Sequence, residues 1–349
     1  MHCRFRTALA VCAWLAGATA AAEAPPGFTT YRAYYDQADR PVGHEPLDMN
    51  ESDQVVGSLW SQPWPQNAFR WTPPHRFERV EGASALGTYA HLQAINDHGL
   101  AVGDTTVIDN GVALWRGLAL EPDGQRHVLA HEHPMEHMVA VDVNNHGTVL
   151  GVAHGGLHGK RHVVLWAPDG TLERLFDIPH DVVAINDDGD IAGHVRTGVS
   201  FLRKASGALL RIPMTLHALN DERVAAGRVG TGRRRAAIWS ETGGLERLPV
   251  PRLATECEAR DVNRHLQVVG FCHEMRSGRV PVSRPVIWQK IDGQWQGASL
   301  AALLEQGHIS LAGSSHALRI TDAGHILVYA SPTPPPSYKR AMVLVPVRR

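Results

Sequence analysis

One short phrase returns seven times along this chain, and its recurrence constrains the fold more than any single residue. It reads Leu47-Asp-Met-Asn50-Glu-Ser-Asp-Gln-Val-Val-Gly57, then Ala94-Ile-Asn96-Asp-His-Gly99-Leu-Ala-Val-Gly103, then Val141-Asp-Val-Asn144-Asn-His-Gly147-Thr-Val-Leu-Gly151. Further copies centre on Asn186, Asn220 and Asn263, and a degenerate seventh on Thr321. Successive Asn positions lie 34 to 48 residues apart, with a last step of 58 to Thr321. Repeats of this size mean a solenoid, a propeller or an array.

Each unit has the texture of β structure. An apolar segment ends at the Asn, a turn of the Asn-Asp-x-Gly type follows, and a second apolar segment ends in Gly. A variable loop leads to a third segment, such as Ala68-Phe-Arg-Trp71, Val112-Ala-Leu-Trp115 or Val163-Val-Leu-Trp166. A second tight turn such as Pro122-Asp-Gly124 or Pro168-Asp-Gly170 then opens a fourth. Asn-Asp-x-Gly and Asp-Gly between β-prone runs are hairpin signals, because Gly accepts φ > 0 without a Cβ clash. Four strands per unit of this length is a propeller blade, and an open β-solenoid is the competing architecture. The expected fold is therefore all-β, a seven-bladed propeller of four-stranded antiparallel blades. The seventh unit supplies only three strands, whereas Phe28–Tyr35 is an extended segment ahead of the first repeat. That segment is expected to close the ring as the outer strand of blade seven.

Residues 1–22 read as a signal peptide: a basic start at Met1–Arg6, a short apolar run from Ala8 to Ala18, and small residues for cleavage after Ala20 or Ala22. The run is too short to span a bilayer. Residues 23–349 then form one propeller domain, exported to the periplasm or the extracellular space. The net charge of −1 excludes a strongly basic nucleic-acid binder.

Two cysteines, Cys257 and Cys272, remain after the leader is removed. If the hairpin turn sets Val262 opposite Gln267, counting outward in step along both strands sets Cys257 opposite Cys272. Exported proteins meet oxidising conditions, so a disulfide is expected.

The repeated phrase, followed by Ala68-Phe69-Arg70-Trp71, resembles the HAF-type extracellular repeat of exported bacterial proteins. The resemblance covers about residues 40–345, although Asn67 stands where the family signature has His and most other units lack the Phe. It implies an extracytoplasmic propeller-like repeat protein and transfers no catalytic residue.

The repeated positions read as structural. Asn ties its side chain to the turn, the terminal Gly permits close approach or a bulge, and Trp71, Trp115, Trp166, Trp239 and Trp288 are expected in equivalent packing positions. The acidic run Asn186–Asp190 fits a hairpin turn and lacks the spacing of a calcium loop. Functional residues belong where the repeat varies, on the face carrying the second-to-third loops and the blade connections. Three features stand there. The segment His131-Glu-His-Pro-Met-Glu-His-Met138 offers His131, His133 and His137 as candidate Zn or Cu ligands. Trp60 and Trp64 lie outside the repeating Trp position and offer stacking surfaces. Arg233 and Arg235, with Arg196 from the preceding unit, offer a basic contact.

The favoured reading is an exported, non-enzymatic binding scaffold presenting this face to a glycan, peptide or envelope partner. The alternative is a metal-assisted hydrolase or lyase at the central channel. No nucleophile motif or compact metal motif is present.

Overall fold

The computed structural model describes residues 25–35, 43–60, 67–81, 89–155, 161–177, 181–275, 281–305, 311, 313–330 and 340–347. The leader and Trp64 lie outside these residues. Within them, seven four-stranded antiparallel sheets form the blades of a ring. Blade 1 runs from β2 (Gly43–Met49) to β5 (Arg76–Val80), and blade 2 from β6 (Ala90–Ile95) to β9 (Arg126–Val128). Blades 3 to 6 open with β10 (Glu136–Val143), β14 (Val182–Ile185), β18 (Thr215–Leu219) and β22 (Ala254–Val262). Blade 7 contains β26 (His316–Ile320), β27 (Ile326–Ala330) and β28 (Arg340–Pro346).

The fourth strand of blade 7 is β1 (Tyr31–Tyr35), which pairs antiparallel with β28 from Tyr31 opposite Pro346 to Tyr35 opposite Met342. Tyr31 is buried. Its backbone also bonds Leu303 and Glu305, so the closing strand is tied to the tail of blade 6 as well. Seven apolar clusters fill the seven gaps between consecutive blades; Val56, Leu92 and Leu118 belong to the first gap, Met49, Phe69 and Leu327 to the last.

The inner strand of every blade carries a β-bulge three residues before the Asn position, between Pro46 and Asp48 in blade 1 and between Ala317 and Arg319 in blade 7, and that of blade 6 has a second between Ala254 and Glu256. A bulge bends its strand and sharpens the local twist. The bend presses a backbone carbonyl onto the repeat glycine of the second strand. A Cβ on Gly57 would stand 2.1 Å from the Glu45 oxygen, on Gly227 2.1 Å from Thr215, and on Gly270 2.0 Å from Glu258. The glycine is therefore fixed by contact inside its own blade. In blade 7 Val328 takes this place, opposite Ala317.

The bulge also corrects the register argument for the cysteines. Val262 pairs with Val268 rather than Gln267, one residue off the expectation, and the bulge at Arg260 restores the count. Cys257 therefore does face Cys272, and the two sulfurs are bonded, with Cα atoms 4.1 Å apart. The Cys257 N–H is donated to the Arg234 carbonyl of blade 5, as a non-hydrogen-bonded cross-strand pair requires.

The second blade departs from the sequence reading. Its middle strands, β7 (Ala101–Asp109) and β8 (Val112–Leu120), have nine residues each and join through a two-residue turn, Asn110-Gly111, with φ of 48° and 80°. The variable loop expected between Gly103 and the third segment at Val112 is mostly strand. Leu120 pairs with Ala101 as Trp166 pairs with Val149 and Trp71 with Val55. The equivalent of the repeat Trp is thus Leu120, and Trp115 is not a core residue: it is 49% exposed, against 1% for Trp71 and Trp166.

Candidate functional site

Two regions gather chemistry-bearing side chains, one at each end of the central channel. At the end formed by the Asn turns, each Asn does two jobs. Its Oδ1 accepts backbone N–H groups of its own turn, as Asn96 does from His98 and Leu100. Its Nδ2 donates to the backbone carbonyl of the Asn in the next blade: Asn50 to Asn96, Asn96 to Asn144, Asn144 to Asn186, Asn186 to Asn220, Asn220 to Asn263, and Asn263 to Thr321. Thr321 has no amide to continue the ring to Asn50.

A second ring lies one residue further along. The N–H of Glu51 is donated to the Asp97 side chain, Asp97 to Asn145, Asn145 to Asp187 and Asp187 to Asp221. Arg264 donates to Asp322, and Asp322 to Glu51 across the seam. The seam is further fastened by His325 to Asp53 at 2.7 Å and Arg319 to Asp48 at 2.6 Å.

These rings frame a cavity of about 320 Å³ at the channel mouth. Two residues before the Asn, Asp48, Asp142 and Asp261 reach the following blade and accept the N–H of Ile95, Ile185 and Ile320 at 2.8 to 2.9 Å. Burial, with Asp48 nearby, pushes the Asp142 carboxyl up to about 7. Burial likewise raises Asp261 to about 6, against the pull of Arg319. Burial works against the Arg319 charge, but Asp48, Asp261 and Asp142 outweigh it and hold its pKa above the ordinary value. Deeper in, burial opposes ionisation of Glu258, yet His217, Arg234 and Arg228 hold its carboxyl down at about 2. Each of the three channel aspartates holds a backbone amide of the next blade, so their primary work is joining blades. Sequence reasoning missed them, although Asp recurs two places before Asn50, Asn144 and Asn263.

The opposite, loop-bearing face carries the sequence-derived candidates. The segment 131–138 is packed down rather than free: Arg174 pairs with both Glu132 and Glu136, Arg116 donates to the carbonyls of Pro134 and Glu136, and Met138 lies in the core. His131 and His133 are exposed. His137 turns away from them to stack on His154, ring centroids 5.0 Å apart. Among the described residues no group of three or more His, Cys, Asp or Glu is placed to hold a metal ion, so the expected convergence of His131, His133 and His137 on Zn or Cu does not occur. Histidines close in sequence diverge here because β10 begins between them.

His137 instead meets Trp115. Its Nδ1 accepts the Trp115 backbone N–H at 3.1 Å, and the rings approach edge to face at 6.2 Å. Ile108 and Trp115 occupy one face of the long hairpin, since Trp115 pairs with Thr106 and Ile108 with Ala113. Both are exposed, as is Met135 at the foot of the hairpin. Burial, His137 and Arg161 lower the His154 pKa. Of the other candidates, Trp60 ends β3 (Val55–Trp60). Arg235 donates to the Thr255 carbonyl and Arg233 is exposed, whereas Arg196 lines a cavity elsewhere, on the outer part of blade 4.

No protein-family model matches the chain, and no curated protein matches it. Among solved structures, it is similar to a catalytically inactive variant of virginiamycin B lyase from Staphylococcus aureus with quinupristin. That similarity has a TM-score of 0.54 at 8% identity, covering 91% of this chain and all of the other. A puromycin-hydrolyzing peptidase from Mycobacterium tuberculosis matches with TM-score 0.47 and 15% identity, over 93% of this chain and 54% of that one. At 8% identity the first of these likenesses shows the fold alone, and the described residues make it a seven-bladed β-propeller whose last blade is completed by the N-terminal strand β1.

Proposed function

We propose that the chain is an exported, HAF-type repeat protein that acts as a non-enzymatic binding scaffold, taking its partner on the loop-bearing face. The observation that carries this reading is the overhanging hairpin of blade 2, which holds Trp115 and Ile108 in solvent beside the His137–His154 stack. Exposed large apolar side chains grouped on one element mark interaction sites. An indole face flanked by imidazole nitrogens suits a glycan, with a peptide or envelope protein using the same surface. Export is supported by the leader-like sequence and is compatible with the Cys257–Cys272 disulfide. No helix among the described residues is long and apolar enough to cross a membrane.

The test is binding of the mature protein to a glycan array and to soluble peptidoglycan fragments, repeated with Trp115→Ser. The expected result is saturable binding by the wild type that the variant loses while its thermal transition is unchanged. Binding that survives Trp115→Ser sinks the platform.

The second reading, a hydrolase or lyase in the channel, rests on Asp142 and Asp261, whose carboxyls exchange protons near neutrality beside a cavity. It is the weaker reading because both carboxylates already hold backbone amides. Turnover that disappears in Asp142→Asn with folding intact would favour it.

A further inference from the structure

A groove on blade 4, reaching blade 3 at one end, stands apart from the channel and from the blade 2 hairpin. It consists of two adjoining cavities of about 390 and 410 Å³ that share Val195, Phe201 and Leu209, a volume in the range of small-molecule sites. Its walls are apolar: Phe176 comes from blade 3, and Phe201, Val195 and Leu209 from blade 4. Leu209, on the outer strand β17 (Leu209–Ile212), is 68% exposed. Leaving a leucine that open to water beside two phenylalanines costs free energy that an occupant recovers.

Three guanidinium groups surround this apolar surface. Arg203 lies over the Phe176 ring, 5.3 Å from its centroid. Arg211 is the cross-strand partner of Phe201, and Arg203 that of Leu209, so both share a sheet face with the apolar floor. Arg196 lines the far cavity. Among the described residues none of the three pairs with a carboxylate. The one acid lining the groove, Asp177, is engaged by His162 at 2.7 Å, and His194 contacts the Leu216 carbonyl at 2.9 Å. The groove thus combines an apolar floor with three guanidinium groups against a single carboxylate, Asp177, among its described lining residues.

We infer that this groove binds a small amphipathic carboxylate, a single acyl chain lying on Phe176, Phe201 and Leu209 with its head group met by Arg203 and Arg211. Apolar contact supplies the affinity, and the planar guanidinium forks supply selectivity for the carboxylate over a neutral head.

Decanoate, below its micellar concentration, is the probe, with 1-decanol as the neutral match, each titrated calorimetrically. The expected result is one-site saturable binding of decanoate, with decanol about tenfold weaker. Arg203→Gln/Arg211→Gln should weaken decanoate about tenfold and leave decanol unchanged. Leu209→Glu places a charge on an exposed position, so it should abolish decanoate binding with the circular dichroism spectrum and melting unchanged. Trp115→Ser should leave decanoate binding as in the wild type, which separates this groove from the glycan platform. Absence of saturable decanoate binding, equal affinity for acid and alcohol, equal affinity in Leu209→Glu, or loss in Trp115→Ser each overturns the inference.

Discussion

The ring of asparagines can be taken apart with three substitutions, because the protein contains its own control. Asn144 donates Nδ2–H to the Asn186 carbonyl of blade 4 at 3.1 Å and accepts the Thr148 N–H at 2.9 Å. Thr321 in blade 7 performs only the second job, its Oγ1 accepting the His325 N–H at 3.0 Å. Asn144→Thr should therefore delete the link between blades and keep the turn. The Asn186 carbonyl still accepts Gly189 N–H at 3.0 Å, so the cost is that of one hydrogen bond, about 1 kcal/mol. Asn144→Ala also leaves the Thr148 amide without its acceptor, which adds roughly 1–2 kcal/mol. Thr321→Asn runs the experiment in reverse, offering the missing donor to the Asn50 carbonyl and stabilising by about 1 kcal/mol. Urea titration followed by tryptophan fluorescence reads all three as shifts of the midpoint at constant slope. Equal cost for the Thr and Ala variants would mean the bond between blades contributes nothing. A destabilised Thr321→Asn would mean that the seam is not spaced for an asparagine.

Three further outcomes follow from the geometry. Gly227→Ala places a Cβ 2.1 Å from the Thr215 oxygen and should cost about 3–5 kcal/mol. Gly232→Ala, which meets open space, should stay within about 0.5 kcal/mol by the same denaturation assay. Cys257→Ala/Cys272→Ala opens a loop with sequence separation 15 and should cost up to about 3 kcal/mol; an unchanged midpoint in non-reduced protein would show that the bridge contributes nothing. Asp142 is raised from 3.8 to about 7 on folding. An acid shifted upward holds its proton more tightly when folded, so stability falls as pH climbs from about 4 to about 7 and stays low above that. Asp142→Asn should therefore gain stability relative to wild type at pH 8, by about 2 kcal/mol once water in the channel is allowed for. The gain should vanish near pH 4; an equal effect at both pH values refutes it.

Much of the architecture was legible because the repeat imposes the same demands six times, with a degenerate seventh copy at Thr321. Asn needs its turn, the second strand needs its Gly, and the extended Phe28–Tyr35 segment needs a partner that only blade 7 lacks. The cysteine pairing was reached through a register one residue off at Val262, rescued by a bulge that no sequence count reveals. Trp115 misled because Val112-Ala-Leu-Trp115 copies the pattern of the other third strands. The decisive cue was the Pro122-Asp-Gly124 turn, which must follow its strand directly, as Pro168-Asp-Gly170 follows Trp166. The candidate site was harder to read. Density of His in sequence says nothing about convergence once a strand starts among them, and the channel aspartates meet only because the ring closes.

That closure has a consequence for how the molecule comes into being. Made from its N-terminus, the chain produces β1 before any other strand, yet β1 pairs with β28, the last. Until the final strand exists, the first has no sheet to join. A chain interrupted short of β28 lacks the strand that β1 pairs with and is left with a bare strand edge, the feature that recruits other chains into aggregates. Only a chain that reaches β28 can cover both edges. The fold therefore carries its own proofreading for length: completeness is tested by a single act of pairing, and fragments remain recognisable by the edge they expose.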